Sequence, residues 1–309
     1  MSKARPVFPG AVVFSTRRVH KRQFLLRPSP RVNQIVGYIV AVLAERYGIR
    51  LHALCVLSNH THSVATDPNG RIVEFQRDCH AFIARHLNAI SGDFESLWSR
   101  EPTSRIECTD DEDILAKVVY TMANPVAARL VAHGHHWPGL RRAWPQKPKV
   151  IKRPRGFFRG AHQGGTWPET ATLTFYQPPC RDDLSGDELA EVLTTAIVNR
   201  EQALREAARQ AGKRFLGRRT VLTQSRLAFP VSDEERKPSI IPGRSRRQER
   251  SRQRRHWLEA YERARYRRLA GDRDVLFPYG TYKLRIYHHV PCEPPPAQTL
   301  LVLADRLSA

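Results

Sequence analysis

The hydrophobic and polar positions in the first part of the chain alternate between the period of strands and the period of helices. Residues 11–17 form an apolar run that is rich in β-branched side chains, which predicts a strand. Residues 51–66 predict two further strands, or one interrupted strand. Apolar residues recur at helical spacing in residues 29–47 and 71–91, and a glycine follows each segment. The pattern therefore predicts strands and helices that alternate along the chain.

A third helix is predicted over residues 109–123. Thr109, with a glutamate three residues later, has the spacing of a capping box. Asn124 and Pro125 are predicted to interrupt this helix, because proline lacks the amide hydrogen that a helix interior uses. A second helical stretch is predicted over residues 126–133.

The pattern changes after residue 140. Residues 141–183 are rich in Pro, Arg, Gly and Trp and show no clear period, whereas residues 186–213 predict an amphipathic helix. Residues 230–243 are typical of a linker, and residues 245–269 predict an arginine-dense helix. Residues 277–290 predict a hairpin or a strand pair.

Composition adds a preference for a polyanionic partner. The chain has 309 residues, 41% of them hydrophobic, which is enough for a packed core. Its 51 Lys and Arg residues exceed its 30 Asp and Glu residues by 21. Residues 1–140 hold 17 basic and 12 acidic residues, a net +5, and residues 141–309 hold 34 and 18, a net +16. Such an excess favours nucleic acid as the partner.

The sequence also indicates where the protein works. The longest apolar stretch, residues 35–44, is far shorter than the roughly 20 residues that span a membrane. The first residues, MSKARPVFPG, lack the apolar region of a secretory signal. We therefore expect no membrane partner and a cytoplasmic location. That this location is the nucleoid of a prokaryote is implied only by the family resemblance given below. Five cysteines without CxxC spacing are expected to be core residues in a reducing compartment.

The first candidate site is the sequence Asn59-His60-Thr61-His62. Alternate residues of a strand point to the same face, so His60 and His62 are expected to project side by side. Two neutral imidazoles in this position could bind one divalent metal ion. The alternative is a pair of histidines at the surface of a sheet, without a ligand.

The second candidate site is Tyr120 with Asn124. These residues are four apart, so a helix places them on one face, one turn from each other. A phenolic nucleophile and an amide ligand could then approach the same metal-bound phosphate. In the alternative interpretation, Tyr120 is a core aromatic residue and Asn124 ends a helix before Pro125.

The two sites together resemble a known family. LCVLSNHTHSVAT at residues 54–66, VVYTMANPVAARLV at residues 118–131 and the order of the elements resemble the single-tyrosine HUH transposases, specifically the REP-associated tyrosine transposase branch. The resemblance covers roughly residues 8–140 and departs from the family at two positions. Thr61 stands where the family usually has a hydrophobic residue, and Ser58 stands where it often has proline.

The resemblance implies a fold and a chemistry. The fold would be α+β, with a ferredoxin-like (RRM-like) antiparallel sheet and helices on one of its faces. His60 and His62 would bind Mg²⁺ or Mn²⁺, and Asn124 would be the third ligand or would orient the phosphate. Tyr120 would cut single-stranded or hairpin DNA and form a 5′-phosphotyrosine, whose later reversal joins strands without ATP.

The domain prediction combines this resemblance with the charge. Residues 1–140 are predicted to be the catalytic domain, and residues 141–309 a basic, mainly helical region that binds DNA. In the arginine-dense segment, Trp257, Tyr261 and Tyr266 interleave with arginines, which suits phosphate contacts with some stacking. The alternative is a solvated helix whose aromatic side chains pack onto the body. The candidate DNA-binding residues are Arg244, Arg246, Arg247, Arg250, Arg252, Arg254, Arg255, Lys152, Arg153 and Arg155.

Two other functions fit the same sequence. One is a non-catalytic DNA- or RNA-binding protein in which the histidine pair is incidental. The other is a metal-dependent nuclease that uses water and leaves a free 5′-phosphate without a protein adduct. The sequence leaves the DNA target open, and it leaves the choice between a monomer and a homodimer open.

Overall fold

The computed structural model describes residues 4, 6–157, 167–230 and 244–295. In the helix that begins at residue 244, the side chains of residues 244–247, 249 and 250 lie outside this description. The chain divides into two compact units. The sheet unit comprises Val12–Thr66 and Ile72–Val231, and the terminal unit comprises Met1–Ala11, Asp67–Arg71 and Ser232–Ala309. These units follow contacts in space, whereas the predicted division at residue 140 follows charge and resemblance and stays a prediction.

A five-stranded sheet forms the centre of the sheet unit. Its strands, in chain order, are β1 (Ala11–Arg18), β2 (Arg50–Val56), β3 (His60–Asp67), β4 (Ser104–Cys108) and β5 (Arg141–Ala143). Their spatial order is β4-β1-β3-β2-β5, and β1 pairs with β4, and β2 with β3 and β5, in antiparallel fashion. The predicted α+β fold with an antiparallel sheet is confirmed.

Two helices connect the first four strands. The helix α1 (Pro30–Tyr47) follows β1 and α2 (Ile72–Ser91) follows β3, which gives the βαββαβ order of a ferredoxin-like fold. The Ser29 side chain caps α1 by accepting a hydrogen bond from the Val32 amide at 3.1 Å. Gly48 ends α1 with a φ of 66°, a conformation that glycine adopts without strain.

The helix α3 (Asp111–Ala127) corrects the prediction for this segment in two ways. Asn124 and Pro125 lie inside it, because a single proline near the last turn costs only one helical hydrogen bond and the flanking residues stay buried. The helix ends at Ala127, so the predicted helical stretch 126–133 is wrong. The cap is Asp110, whose side chain accepts from the Asp113 amide at 2.8 Å, and not Thr109.

Helices cover both faces of the sheet. Ser15, Thr61 and Ser63 face a cavity that is also lined by residues of α1 and α2. Phe14 of β1 and Val64 of β3 belong to the opposite face, where they pack with residues of α3 and of α4 (Gly186–Gln210). The helices α1 and α2 follow the prediction of helices on one face, and α3 and α4 add a layer on the other.

Residues 141–183, whose sequence shows no clear period, contain β5 and two further strands. The strands β6 (Lys149–Lys152) and β7 (Thr170–Leu173) form an antiparallel pair that packs against α1. A Cβ atom on Gly37 of α1 would lie 2.8 Å from Ile151 Cδ1, so a larger residue there would require the Ile151 side chain to shift. The short helix α5 (Arg218–Thr223) follows α4 in the sheet unit.

The terminal unit has its own small core. The arginine-dense segment forms α6 (Arg244–Leu269), as predicted, and α7 spans Lys283–His288. The buried cluster consists of Ala264, Val275, Phe277 and Val290. The predicted hairpin over residues 277–290 is wrong. Phe277 and Val290, which flank α7 in the chain, are buried in this core, Leu284 of α7 packs against it, and one isolated bridge joins Phe277 to Cys292.

Two further features bear on the sequence expectations. Within the described ranges, no helix is both long enough and apolar enough to cross a membrane. All five cysteines are free thiols, and four of them are buried, as the sequence predicts for core residues.

A buried ion pair joins α4 to the sheet. Arg141 Nη2 of β5 lies 2.9 Å from Glu201 Oε1 of α4. The second carboxylate oxygen of Glu201 accepts a hydrogen bond from the Gly134 amide at 3.0 Å, and Arg141 Nε donates to the Met122 carbonyl at 2.6 Å. This network fixes α3 and α4 on the same side of the sheet.

We predict that Glu201→Ala lowers the free energy of unfolding by about 3 kcal/mol, because it leaves the Arg141 charge buried without its partner. Denaturant unfolding followed by circular dichroism measures the change. The matched control is Glu206→Ala, which removes an exposed carboxylate from the same helix and should cost less than about 0.5 kcal/mol. Equal losses in the two variants would contradict this assignment.

Candidate active site

The strand β3 brings His60 and His62 together on the face of the sheet that α3 covers. The two imidazole ring centroids are 4.7 Å apart and the rings are nearly perpendicular, at 83°. The His62 ring also stacks on Phe14 of the neighbouring strand β1, with a centroid separation of 5.4 Å. The predicted side-by-side arrangement of the two histidines is therefore present.

Each of these imidazoles is held through its Nδ1 atom. His60 Nδ1 lies 2.6 Å from Asn59 Oδ1, and His62 Nδ1 lies 2.9 Å from Thr16 Oγ1. His62 Nε2 is buried and has no hydrogen-bond partner in the described part of the chain. A bare lone pair on Nε2 costs less there than an N–H group without an acceptor, so we assign the proton of His62 to Nδ1. Histidines that bind metals are commonly oriented in this way.

Tyr120 lies next to these histidines. Its ring centroid is 5.2 Å from that of His62 and 5.7 Å from that of Phe14, with an edge-to-face geometry in both pairs. The Tyr120 side chain is half-buried and projects from α3, the helix that covers this face of the sheet. The hydroxyl-bearing ring of the predicted nucleophile therefore contacts a predicted metal ligand.

Asn124 connects the two parts of the site. It follows Tyr120 by one helical turn and is only 5% exposed. A side-chain interaction with Asn124 acts on the pKa of His60 and also on the pKa of Tyr120. The structure therefore brings all four predicted catalytic and metal-binding residues into one cluster.

The environment keeps both imidazoles neutral at neutral pH. Burial lowers the pKa of His60 to about 4, and the charges of Arg18 and Arg22 act in the same direction, against the hydrogen bond with Asn124. Burial also holds the pKa of His62 well below its usual value, with further contributions from His60, Arg18 and Lys117. Neutral imidazoles have a lone pair available for a metal ion.

Burial has the opposite effect on Tyr120, since it raises the pKa of the phenol. The hydrogen bond with Asn124 and the charges of Arg18 and Arg200 partly counteract this rise. The hydroxyl group is therefore protonated at neutral pH and needs activation before it can act as a nucleophile.

The sequence patterns did not indicate several residues of this cluster. Thr16, Phe14 and Arg18 alternate along β1 on the face of His62, but only the pairing of β1 beside β3 reveals it. Lys117 is 2% exposed and its Nζ lies 5.1 Å from the centroid of the Phe14 ring. Arg200 comes from α4, far away in sequence, where no local signal marks it.

The donor set of the cluster fits a transition-metal ion better than Mg²⁺. Two imidazoles and one amide oxygen could act as ligands, and imidazole nitrogen suits borderline metals, whereas Mg²⁺ prefers oxygen. Among the described residues, no group of three or more His, Cys, Asp or Glu side chains could hold a metal ion. His60, His62 and Asn124 could therefore hold Mn²⁺ only with coordination positions left open for water or substrate.

The predicted DNA-binding residues belong to other elements than those that carry His60, His62, Tyr120 and Asn124. Lys152, Arg153 and Arg155 are exposed, on β6 and just after it, on the α1 side of the sheet and so on the face opposite Tyr120. Arg153 Nη1 donates to the Trp167 carbonyl at 2.7 Å. Arg252, Arg254 and Arg255 are exposed on α6. The following residues belong to α6, with side chains outside the described part: Arg244, Arg246, Arg247 and Arg250.

Two aromatic residues of α6, Trp257 and Tyr261, pack within the terminal unit. Trp257 Nε1 donates to the Tyr279 carbonyl at 2.7 Å, and the Trp257 and Tyr261 rings stack at 5.3 Å. Tyr261 also contacts Phe277 of the buried cluster. These two side chains are used in packing within the terminal unit, and Tyr266 is the exposed one, at 66%.

Comparison with known proteins gives matches among solved structures only. No protein family profile and no curated protein sequence matches this chain. One similar structure is a REP-associated tyrosine transposase bound to a REP hairpin, with 20% identity and a TM-score of 0.38 over 45% of this chain and 81% of that one. Another is a candidate transposase from Deinococcus radiodurans R1, with 18% identity and a TM-score of 0.28 over 36% of this chain and 89% of that one. The first belongs to the family that the sequence resembles.

We predict that Thr16→Val disturbs the His62 ring while it leaves the His60 ring unchanged. Valine is close in shape to threonine but cannot accept the Nδ1 hydrogen bond, so His62 should populate both tautomers. Nitrogen-15 NMR of the histidine side chains, recorded without metal, measures the tautomers. An unchanged His62 signal would show that Thr16 does not orient this ring.

Proposed function

We propose that this protein is a metal-dependent, transposase-like enzyme that cuts and rejoins single-stranded or hairpin DNA through a covalent bond to Tyr120. The observation that carries the proposal is the contact of the Tyr120 ring with His62, whose ring lies against that of His60, while Asn124 follows Tyr120 by one turn of the same helix. A phenol, two neutral imidazoles and an amide thus converge on one spot. The sequence resemblance described above supports the same chemistry.

The reaction follows from the nucleophile. The Tyr120 hydroxyl loses its proton as its oxygen bonds to the phosphorus of a DNA phosphodiester, and the bond from phosphorus to the 3′ oxygen breaks. The 3′ oxygen takes up a proton and leaves as a hydroxyl group. The products are a 5′-phosphotyrosine and a free 3′ end, and attack of a 3′ hydroxyl on the phosphotyrosine rejoins the strand.

His60, His62 and Asn124 are the residues that would hold the metal ion. The ion would neutralise charge that develops on the scissile phosphate. Thr16 and Asn59 fix the ring orientation of the two histidines through their Nδ1 atoms. Asn124 lies one helical turn from Tyr120 on α3, so one helix carries both the nucleophile and a ligand.

Additional DNA binding is assigned to the exposed arginines of α6. Arg252, Arg254 and Arg255 lie along a helix that presents mainly positive charge, and phosphate contacts by such side chains carry no sequence information by themselves. Lys152 and Arg155 form a second exposed basic patch. These surfaces would hold DNA, while the cluster around Tyr120 would react with it.

We predict that the protein forms a denaturation-resistant adduct with hairpin oligonucleotides that carry a single-stranded flank, in the presence of Mn²⁺. Tyr120→Phe should abolish the adduct, because it removes the attacking oxygen and leaves the ring packing intact. Denaturing gel electrophoresis with a labelled oligonucleotide measures the adduct. The matched control is Tyr176→Phe, which alters a more exposed tyrosine and should behave like the unchanged protein.

The same experiment separates the alternatives. An adduct that survives in Tyr120→Phe would show that the nucleophile is a different residue. Cleavage that leaves a free 5′-phosphate without any adduct would indicate a nuclease that uses water. Binding without cleavage, for every oligonucleotide and metal ion tested, would indicate a non-catalytic binding protein.

We predict that His60→Ala and His62→Ala each weaken Mn²⁺ binding by at least tenfold, because each variant removes one of the three proposed protein ligands. Isothermal titration calorimetry and electron paramagnetic resonance measure the affinity without relying on activity. His256→Ala, which removes an exposed imidazole from α6, is the control and should leave the affinity unchanged. Equal affinities in all variants would rule out this metal site.

A further inference from the structure

The turn that follows β1 presents positive charge beside the histidine pair. Arg18, Lys21 and Arg22 are exposed within residues 18–23, which we call the basic turn. The Val19 amide donates to the Asn59 carbonyl at 3.0 Å, and Asn59 Nδ2 donates to the Arg22 carbonyl at 3.4 Å. Because Asn59 directly precedes His60, these bonds attach the basic turn to the backbone that carries the histidines.

The strand places Arg18 on the face of the candidate active site. Phe14 stacks on His62 and Thr16 bonds to it, so Arg18, the next alternate residue of β1, projects on the same face. Arg17 points to the other face, where it donates to the Ser99 carbonyl at 3.1 Å and lines the cavity under α1 and α2. Only one of the two adjacent arginines can therefore reach the surroundings of Tyr120.

A third arginine approaches from a different element. Arg200 is exposed on α4, the helix that packs against α3, and Ile197 one turn earlier packs in the same cluster as Tyr120. Its charge acts on the pKa of Tyr120 after the larger effects of burial, the Asn124 hydrogen bond and Arg18. In the described part of the chain, no hydrogen bond or ion pair occupies the side chains of Arg18, Arg22 and Arg200.

The backbone of the basic turn is unusual. Lys21 and Arg22 have φ values of 47° and 58°, in the left-handed region that non-glycine residues rarely adopt. Glycine at either position would relieve the strain, yet the chain has a long basic side chain at both. Strained backbone of this kind concentrates at functional sites, where the side chain that it positions has a use.

We propose that Arg18, Arg22 and Arg200 form a phosphate clamp, which binds the backbone of the single-stranded DNA that reaches Tyr120. The proposal rests on the proposed function for the identity of the polyanion. The three guanidinium groups would hold phosphates next to the one that is attacked, so they are positioning residues and do not react. Arg18 and Arg22 do not line the cleft on the far side of the turn, where Asp93 and Glu95 disfavour phosphate.

The test measures binding of a short single-stranded oligonucleotide, by fluorescence anisotropy in EDTA so that no cutting occurs. Arg18→Gln, Arg22→Gln and Arg200→Gln should each weaken binding by about 3- to 10-fold. Each should also reduce the slope of log affinity against log salt by about 0.7, the value for one lost phosphate contact. Arg209→Gln removes one exposed charge from the end of α4 and is the control.

A glycine variant separates DNA binding from a structural role. Arg22→Gly removes both the charge and the strain, so its melting temperature should equal or exceed that of the unchanged protein, while DNA affinity falls as in Arg22→Gln. If Arg22→Gly melts at a lower temperature and still binds DNA normally, the turn is purely structural and the clamp is wrong.

The outcomes also distinguish the clamp from the proposed function. If Tyr120 forms adducts but the clamp variants bind DNA like Arg209→Gln, the clamp is wrong and the function stands. If the clamp variants lose affinity and salt dependence but no adduct forms under any condition, the clamp stands and the strand-joining function is wrong.

Discussion

The position of β3 between β1 and β2 determines the candidate active site. Both edges of β3 are hydrogen-bonded to neighbours, so its side chains have no freedom to change face. The period of two along a strand then places His60 and His62 toward α3, together with Thr16 of β1. A shift of β3 by one residue would turn both histidines toward α1 and α2. The histidine pair therefore depends on strand register more than on any single contact of the histidines.

The central parts of the site could be predicted because they follow local periods. His60 and His62 obey the two-residue period of a strand, and Tyr120 and Asn124 obey the one-turn spacing of a helix. That Tyr120 contacts His62 could not be derived from either period alone, and the family resemblance supplied that expectation. Thr16 and Arg200 could not be found, because their roles depend on which elements pack together.

The predictions of the fold that are wrong have related causes. Asn124 and Pro125 are predicted to interrupt the third helix, but burial of the flanking residues outweighs the loss of one hydrogen bond. Residues 277–290 have the composition of strands, yet Phe277 and Val290 pack beside Ala264 in the core of the terminal unit and α7 lies between them in the chain. The pair of β6 and β7 was missed because proline and glycine dominate the sequence around it. In each case tertiary packing decided against the local pattern.

The excess of positive charge is divided between two regions, which differ in what their charged side chains lie next to. The larger surplus lies beyond residue 140, and its exposed arginines on α6 project from a helix whose aromatic side chains hold its own unit together. The smaller surplus of positive charge, in residues 1–140, includes Arg18 and Arg22. The charges of these two arginines act on the neutral imidazole of His60. A modest net charge can therefore have a large local effect where it lies next to the reacting groups.

The most direct measurement of the central claim is mass spectrometry of the protein after reaction with Mn²⁺ and a hairpin oligonucleotide. Trypsin should release residues 118–129, VVYTMANPVAAR, as one peptide that contains a single tyrosine, Tyr120. We expect a nucleotide mass on this peptide, with fragmentation that places it on Tyr120. A nucleotide on another peptide, or an unmodified peptide when the DNA has been cut, would contradict the claim that Tyr120 is the nucleophile.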